Sequence, residues 1–429
     1  MVSLHRGRPF IRSAIRRLKG VRTLILVRVA ELPLRTAVRA VVSRLPRDRS
    51  LVVFGAALDR FADNPAYLFI HMSEASQPLR CVWVTGSKEL VLRLRENGFA
   101  AELRWSAPGL WTCARAGWFV VGAYTSDINR WLYDGAKVLN LWHGIPLKRI
   151  ERDITAGPLA LKYRERRPGS LVSAALGDDT RPPDVLLSAS AFISKRCFTS
   201  AFAVGAERCL NYGYPRNDHF FRPASAPPSK LLVSDTAVWD RVKNSDFVVG
   251  YFPTFRDEGT MFMRRGGFSL DRLAAAVSAR GGLLVFKPHF NAAEELSSSA
   301  ALVALDPSDD LSAYLHLCTA LITDYSSVAF DFMLLNRPIL YYAPDLSDYR
   351  RGRGLYFSPE EMMPGTLVTS PDELYSAVED LRLDQSPDER LAIVRSMVWD
   401  TFDGEASGRI QRFLEGDRIR PVQVDPPAG

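Results

Sequence analysis

Three short segments carry residues whose types and spacing suit phosphoryl transfer. Residues 142–148 read Trp-His-Gly-Ile-Pro-Leu-Lys, residues 287–289 read Lys-Pro-His, and residues 323–327 read Thr-Asp-Tyr-Ser-Ser. Each follows an apolar run typical of a buried strand. At a turn from strand to helix, backbone amides without intrahelical partners bind anions. The three segments together predict a site for nucleotide-activated phosphoryl transfer.

His143 has the surroundings of a general base. Gly144 lets a substrate approach the backbone, and Pro146 stiffens the loop. An imidazole with an ordinary pKa near 6.5 accepts a hydroxyl proton at neutral pH. The alternative, a ring that only hydrogen-bonds a neighbouring carbonyl, stays open at this point.

His289 follows a second apolar run, with Lys287 close by. Either side chain can stabilise the charge that builds up on a departing phosphate, and so can the amides at the start of a helix. Arg256 follows another strand and could reach phosphate; an ion pair with Asp257 or Glu258 is the alternative. The residues predicted to bind the donor and its phosphates are Lys287, Arg256, Asp324, Ser326 and Ser327. Those predicted to shape the cleft are Gly144, Pro146, Arg216 and Pro288.

No cofactor and no metal ion is predicted. The sequence has no His-Glu-x-x-His segment, no paired-cysteine spacing and no Asp-x-Asp pair beside a strand. The five cysteines are scattered and odd in number, which favours packing residues in a reduced, cytoplasmic protein. Fixed protein charges are therefore expected to neutralise the phosphates.

The elements that position these residues predict an α/β fold. Apolar strand-like runs alternate with helix-length stretches in two regions, residues 50–221 and 230–385, separated by a segment rich in proline. Residues 386–429 are predicted to form a C-terminal helix and tail. Two such domains facing each other place the carboxyl ends of both sheets around one cleft. The three segments are expected to converge there.

Residues 1–49 form a basic segment. They carry a net charge of +11 in a chain whose net charge is +7. Apolar residues recur at helical spacing among the arginines, which predicts an amphipathic arm on an anionic membrane surface through residues 6–49. No apolar run reaches the roughly 18 to 20 residues of a spanning helix. A solvated helix packed on the body is the alternative, and nucleic-acid binding is not predicted because no stacking platform follows.

An ordered set of motifs resembles the CDP-glycerol glycerophosphotransferases of teichoic acid and capsule synthesis. Besides the three segments above, residues 213–218 (Gly-Tyr-Pro-Arg-Asn-Asp), residues 252–257 (Phe-Pro-Thr-Phe-Arg-Asp) and residues 364–365 (Pro-Gly) fall in the order of that family. The resemblance covers roughly residues 130 to 370. It departs from the family at Ile145 and Thr366, which leaves glycerol or ribitol open as the alcohol of the donor.

The resemblance implies a GT-B-like architecture with an acceptor-side first domain and a nucleotide-binding second domain. It also implies His143 and His289 as the catalytic histidines. The expected reaction is attack of an acceptor hydroxyl on the β-phosphorus of CDP-glycerol, at the cytoplasmic face of the membrane, with a lipid-linked acceptor and CMP as product. Two alternatives remain: a glycosyltransferase that uses a nucleotide sugar, and a non-catalytic membrane-surface binder of an anionic polymer.

Overall fold

The fold is built on two parallel β-sheets, one in each half of the chain. The computed structural model describes residues 26–75, 79–155, 181–225, 227–254, 267–287, 298–346, 354–383 and 389–416. Within them, the strands of the first sheet are β1 (Asp48–Gly55), β2 (Arg80–Thr85), β3 (Ala101–Leu103), β4 (Ala116–Val121), β5 (Lys137–Asn140), β6 (Val185–Ser188) and β7 (Cys209–Asn211). Those of the second are β8 (Val248–Tyr251), β9 (Leu283–Phe286), β10 (Leu302–Ala304), β11 (Ala320–Thr323), β12 (Ile339–Tyr342) and β13 (Thr366–Val368).

Both sheets have a doubly wound order. The first runs β3-β2-β1-β4-β5-β6-β7 and the second runs β10-β9-β8-β11-β12-β13, with every pairing parallel. The strand order reverses between β1 and β4 and between β8 and β11. Ligands of such sheets bind at the carboxyl ends of the strands beside this reversal. The loops after β8 and β11 therefore mark the expected ligand site of the second domain.

Helices cover both faces of the sheets. They include α1 (residues 26–42), α2 (Asp63–Glu74), α3 (Lys88–Glu96), α4 (Ala107–Arg115), α5 (Ala191–Ile193), α6 (Thr199–Phe202), α7 (Thr236–Lys243), α8 (Leu270–Ser278), α9 (Ser312–Leu315), α10 (Val328–Met333), α11 (Pro359–Met362), α12 (Pro371–Glu379), α13 (Glu389–Val398) and α14 (Ala406–Leu414). In β1, Val52 and Phe54 face one apolar cluster and Val53 faces another. Burial on both faces explains why these strands read as continuous apolar runs.

The described part of the basic arm belongs to the first domain. Val42 of α1 is buried in the cluster on one face of the first sheet, and Arg39 pairs with Asp134. Arg47 donates hydrogen bonds to the carbonyls of Cys113 and Leu132. The prediction of an arm that ends at residue 49 is corrected here, because α1 packs on the sheet and β1 already begins at Asp48. The residues before 26 lie outside the described part.

The outer face of α1 carries apolar side chains rather than arginines. Arg28 and Arg35 are buried, whereas Val27, Leu34 and Val41 are 50%, 61% and 63% exposed. These three residues are spaced by seven, so they form one stripe along the outer face of the helix. The helix therefore presents apolar side chains to its surroundings and turns arginines towards the protein.

The C-terminal helices pack back across the two domains. The side chain of Asp218 accepts hydrogen bonds from the amides of Ala406 and Ser407 at the start of α14. The indole of Trp399 donates to the carbonyl of Phe330 in the second domain, and Phe413 contacts Trp118 in the first. These contacts fasten the C-terminal segment to both sheets.

Candidate active site

The loop that carries His143 is held by two asparagines. Asn140, at the end of β5, donates through its side chain to the carbonyl of Ala123 and accepts from the amide of Trp142. The side chain of Asn64 donates to the carbonyl of Trp142 over 2.9 Å. Trp142 itself has a positive φ of 50°, which is rare for a bulky residue. The backbone just before His143 is thus fixed from both sides in an unusual conformation.

His143 is an exposed residue of its loop and lies near protein charges. Its ring packs on Trp142 with the centroids 4.0 Å apart. The pKa of His143 is lowered by the protein atoms that displace water around it, while Asp63 and Glu151 raise it and Arg216 lowers it further. Because the ring is neutral at physiological pH and water reaches it, it can accept a proton from an incoming hydroxyl.

Gly144 brings the histidine loop against the second domain. Its φ is 132°, and a β-carbon at this position would lie 3.0 Å from Nη2 of Arg216 and 3.3 Å from Oγ of Ser327. The backbone of the first domain therefore touches the turn that follows β11. Two of the three predicted segments meet here.

The residues after Gly144 contact the second domain. Ile145 is buried, which accounts for an apolar side chain at this position of the loop. Pro146 is buried beside it. Lys148 forms an isolated antiparallel bridge with Leu355, and the carbonyl of Leu147 accepts from the amide of Tyr356. The loop is therefore clamped at both of its ends.

The serine turn, which carries Ser326 and Ser327, leads into a helix that is shorter than predicted. Residues Ser326 to Leu335 have the length of a helix before Pro338, and the sequence predicts one there, but α10 has six residues, Val328–Met333. The end after residue 333 is a series of turns with three-residue hydrogen bonds. Ser326 and Ser327 are half-buried just before the helix, and Oγ of Ser326 accepts from the amide of Val328 at 3.4 Å. A helix this short contributes less dipole field than the prediction assumed, so the hydroxyls and nearby amides matter more.

Asp324 joins the two loops at the strand reversal. Its buried carboxylate accepts hydrogen bonds from the amide and hydroxyl of Thr254, over 2.8 and 2.6 Å, and from the amide of Tyr325. Thr254 follows β8, and Asp324 follows β11. The structure thus places Asp324 in the framework of the turn, and its predicted contact with the donor stays a prediction.

Lys287 is engaged with another loop. Its ammonium donates to the carbonyls of Asp306, Pro307 and Asp309, at 2.5 to 3.4 Å. Burial and the charge of Arg60 lower the pKa of Lys287 to about 8, so it is still largely protonated at neutral pH. A phosphate would have to replace these carbonyls. His289, Pro288 and Arg256 lie outside the described residues.

Arg216 lies in a buried network between the domains. It pairs with Asp63 at 2.6 Å and with Asp331 at 2.8 Å, and the side chain of Asn217 donates to the same Asp331. Burial acts to lower the pKa of Arg216, but Asp331 and Asp63 raise it above the ordinary value. Burial also raises the pKa of Asp331. Such a network depends on all its members, because removing one leaves a buried charge without its partner.

Sequence reasoning missed Asp63, Asn64 and Asp331. Asp63 and Asn64 come before an apolar helical run, which is an ordinary signal for the start of a helix. That signal does not indicate that the two residues also contact other segments. Asp331 lies in α10, and its contact with Arg216 joins residues that are far apart in the sequence. Among the described residues, no group of three or more His, Cys, Asp or Glu side chains is placed to hold a metal ion.

Thr366 lies far from the cleft edge of its sheet. It begins β13 and pairs with Leu340, so it is at the amino end of the strands, opposite to the serine turn. The difference from the family at this residue therefore carries no information about the alcohol of the donor.

Known proteins match the chain over most of its length. A family model described as CDP-Glycerol:Poly(glycerophosphate) glycerophosphotransferase matches residues 37–416. The teichoic acid poly(glycerol phosphate) polymerase of Bacillus subtilis (strain 168) is 29% identical over 384 residues, which are 86% of this chain and 48% of that protein. The polymerase of the same name from Bacillus spizizenii is 26% identical over 407 residues, 91% of this chain and 97% of that protein. This chain thus spans about half of the first relative and nearly all of the second.

A solved structure shares the fold. The wall teichoic acid polymerase TagF, in a variant soaked with CDPG, has a TM-score of 0.68 and 25% identity, covering 92% of this chain and 96% of that one. This likeness confirms the predicted GT-B-like arrangement of two Rossmann-like domains. The family match confirms the resemblance found in the motifs, and the chain belongs to the CDP-glycerol:poly(glycerophosphate) glycerophosphotransferase family.

Proposed function

We propose that this chain transfers glycerol phosphate from CDP-glycerol to a hydroxyl of a lipid-linked acceptor and releases CMP. The observation that carries the proposal is the contact of the His143 loop with the serine turn: Gly144 lies where a β-carbon would come within 3.3 Å of Oγ of Ser327. A proton acceptor from one domain and hydroxyl groups from the other thus border the same space. That is what an attack on a bound phosphate requires.

His143 acts as the general base. The acceptor oxygen attacks the β-phosphorus of CDP-glycerol, and its proton passes to the neutral imidazole. A new bond forms between the acceptor oxygen and the β-phosphorus, and the bond from the β-phosphorus to the bridging oxygen breaks. CMP leaves with the electron pair of that bond. The lowered pKa of His143 keeps the ring unprotonated for this step at neutral pH.

Residues of the second domain stabilise the negative charge that builds up on the departing CMP. Ser326 and Ser327 donate to the phosphates, and His289 with Lys287 and Arg256 supplies positive charge. The position of the serines supports this division, because they follow β11 beside the strand reversal. Pro288, next to His289, shapes this side of the cleft.

Glycerol is the proposed alcohol of the donor. The relatives named for glycerol phosphate match 84% to 91% of this chain, whereas those named for ribitol phosphate match about half of it. Ribitol is the second candidate and forms part of the test.

The lipid-linked acceptor brings the chain to the cytoplasmic face of the membrane, as a peripheral protein in teichoic acid or capsule synthesis. We assign the contact to α1 and α4, which cover the same face of the first sheet through Val42 and Cys113. Apolar side chains on their outer faces are exposed: Leu26, Val27, Leu34, Val41 and Trp111. Exposed apolar side chains along a helix suit the boundary between lipid headgroups and acyl chains. No described helix is long and apolar enough to cross a bilayer.

The test is product formation by the purified protein on vesicles that carry a lipid-linked acceptor. With CDP-glycerol we expect CMP and a longer acceptor. His143→Ala and His289→Ala should each lower turnover by at least about 100-fold, since general acid–base groups contribute 10² to 10⁴. His71→Ala, in α2, is the matched control. CDP-glycerol binding should survive in part in His143→Ala.

Three outcomes would contradict the proposal. Release of a nucleoside diphosphate from a nucleotide sugar would indicate a glycosyltransferase. Binding of an anionic polymer without turnover of any CDP-alcohol would indicate a non-catalytic binder. Unchanged turnover in His143→Ala would show that His143 is not the general base.

A further inference from the structure

The start of α2 has an unusual conformation that is stabilised from the second domain. Asp63, the first residue of the helix, has a positive φ of 61°. Its amide donates to Oδ2 of Asp310, in the other domain, over 2.7 Å. Residue conformations of this kind cost free energy and persist where the surroundings enforce them. The strain at Asp63 is thus located where the two domains meet.

Asn64 connects the start of α2 to two other segments. Its side chain is fully buried. The amide nitrogen donates to the carbonyl of Trp142, and the amide oxygen accepts from the backbone of Arg216 at 3.3 Å. One side chain therefore fixes the backbone of both Trp142, the residue before His143, and Arg216. No aliphatic side chain can replace both hydrogen bonds, and a buried carbonyl left without a donor is costly.

Asp63 extends the same connection to the serine turn. Its Oδ1 accepts from Nη1 of Arg216, whose Nη2 pairs with Asp331. Asp331 lies in α10, directly after the serines. A continuous chain of hydrogen bonds thus runs from the loop of His143 through α2 and Arg216 to the helix that follows Ser327.

We propose that Asp63 and Asn64 are positioning residues, which hold the His143 loop and the serine turn in one frame so that the base faces the bound phosphate. Neither residue is proposed to touch the substrate. The inference rests on the proposed function and adds to it the residues that set the distance between the two halves of the site. A displacement of about 1 Å between reacting groups can lower a rate by about 100-fold.

Asn64→Ala tests the hydrogen bonds. We expect kcat for CMP release to fall by about tenfold or more while KM for CDP-glycerol changes little, because the donor side of the site belongs to the second domain. Asn97→Ala is the matched control, since Asn97 follows α3 at the surface and its side chain donates to the carbonyl of Arg93, four residues earlier in the same helix. Wild-type kcat in Asn64→Ala would overturn the proposal.

Asp63→Asn tests the charge and keeps a residue that tolerates a positive φ. The charged groups that act on His143 are Asp63, Glu151 and Arg216. Asp63 favours the protonated ring, so its loss should lower the pKa of His143 and move the acidic limb of the kcat/KM profile to lower pH. NMR titration of labelled histidines measures the pKa of His143 directly. The His143 signal is assigned by its absence in His143→Gln. Asp48→Asn, whose carboxylate pairs with Arg80 on the same sheet, is the control.

The outcomes separate this inference from the proposed function. If the wild-type protein turns over CDP-glycerol and Asp63→Asn leaves both the limb and the NMR pKa of His143 unchanged, the positioning role of Asp63 is wrong and the function stands. If the wild-type protein turns over no CDP-alcohol, the function fails, and the NMR titration still decides whether Asp63 faces His143. Thermal unfolding of each variant shows that the compared proteins are folded, and a merely structural loss would not move the pKa.

Discussion

Gly144 occupies a position with no room for a side chain. Its backbone has a φ of 132°, and an added β-carbon would approach Arg216 and Ser327. We expect Gly144→Ala to lower kcat/KM by about tenfold or more, because the loop must shift away from the serine turn. Gly98→Ala is the matched control: Gly98 has a φ of 82° but nothing within 4 Å of the added carbon. It should lose about 1 kcal/mol of stability and keep its activity. Equal activity in the two variants would contradict the close contact.

The sequence signals that predict site residues are local ones. The glycine and proline beside His143 indicate a tight loop in any context. Arg216 was predicted to shape the cleft, and the structure places it against Gly144. Asp63, Asn64 and Asp331 were missed because their partners are distant in the chain: Asn64 reaches residues 142 and 216. Such contacts depend on the packing of two domains, which no local pattern contains.

The exposed apolar stripe of α1 is the proposed membrane contact of this helix. Replacing Val27, Leu34 and Val41 by serine removes the exposed stripe. We expect partition into anionic vesicles to weaken by about 100-fold, since each of the three partly buried aliphatic side chains contributes about 1 kcal/mol. Leu92→Ser with Ile393→Ser is the control, because both residues are exposed on other helices. Vesicle binding equal to that of the control would exclude this stripe as the contact.

Strands of four or more buried residues could be predicted from the sequence, and the three-residue edge strands could not. Apolar runs at residues 51–55, 80–85 and 320–323 predict strands and coincide with most of β1 and with all of β2 and β11, because burial on both faces leaves a continuous signal. The strands missed by the sequence, β3, β7, β10 and β13, have three residues each. Three residues at the edge of a sheet are too few to show a period. The orientation of α1 was also beyond the pattern, since its arginines find buried surroundings that only the folded domain supplies.

The two domains of the molecule also meet at a pair of histidines, of which His316 is buried and His219 half-buried. His219 stacks on Tyr67 of the first domain, and its ring lies 4.6 Å from that of His316 in the second. Nε2 of His219 donates to the carbonyl of Ser312. Burial lowers the pKa of His219 to about 3 and that of His316 to about 4. The folded protein therefore keeps both rings neutral at a pH where the unfolded chain binds protons.

The sign of the resulting pH dependence follows from these pKa values. Because each folded-state pKa lies below the unfolded value near 6.5, the unfolded state binds more protons, and the free energy of unfolding falls as the pH drops from 6.5 towards 4. His316→Phe keeps an aromatic ring against Phe220 and Trp239 but cannot be protonated. Between pH 6.5 and 4 it should lose less stability than the wild type, by on the order of 3 kcal/mol. Denaturant unfolding across this range is the measurement, with His71→Phe, half-buried on α2, as the control. Parallel curves for His316→Phe and the wild type would show that the junction between the domains does not depend on a neutral His316.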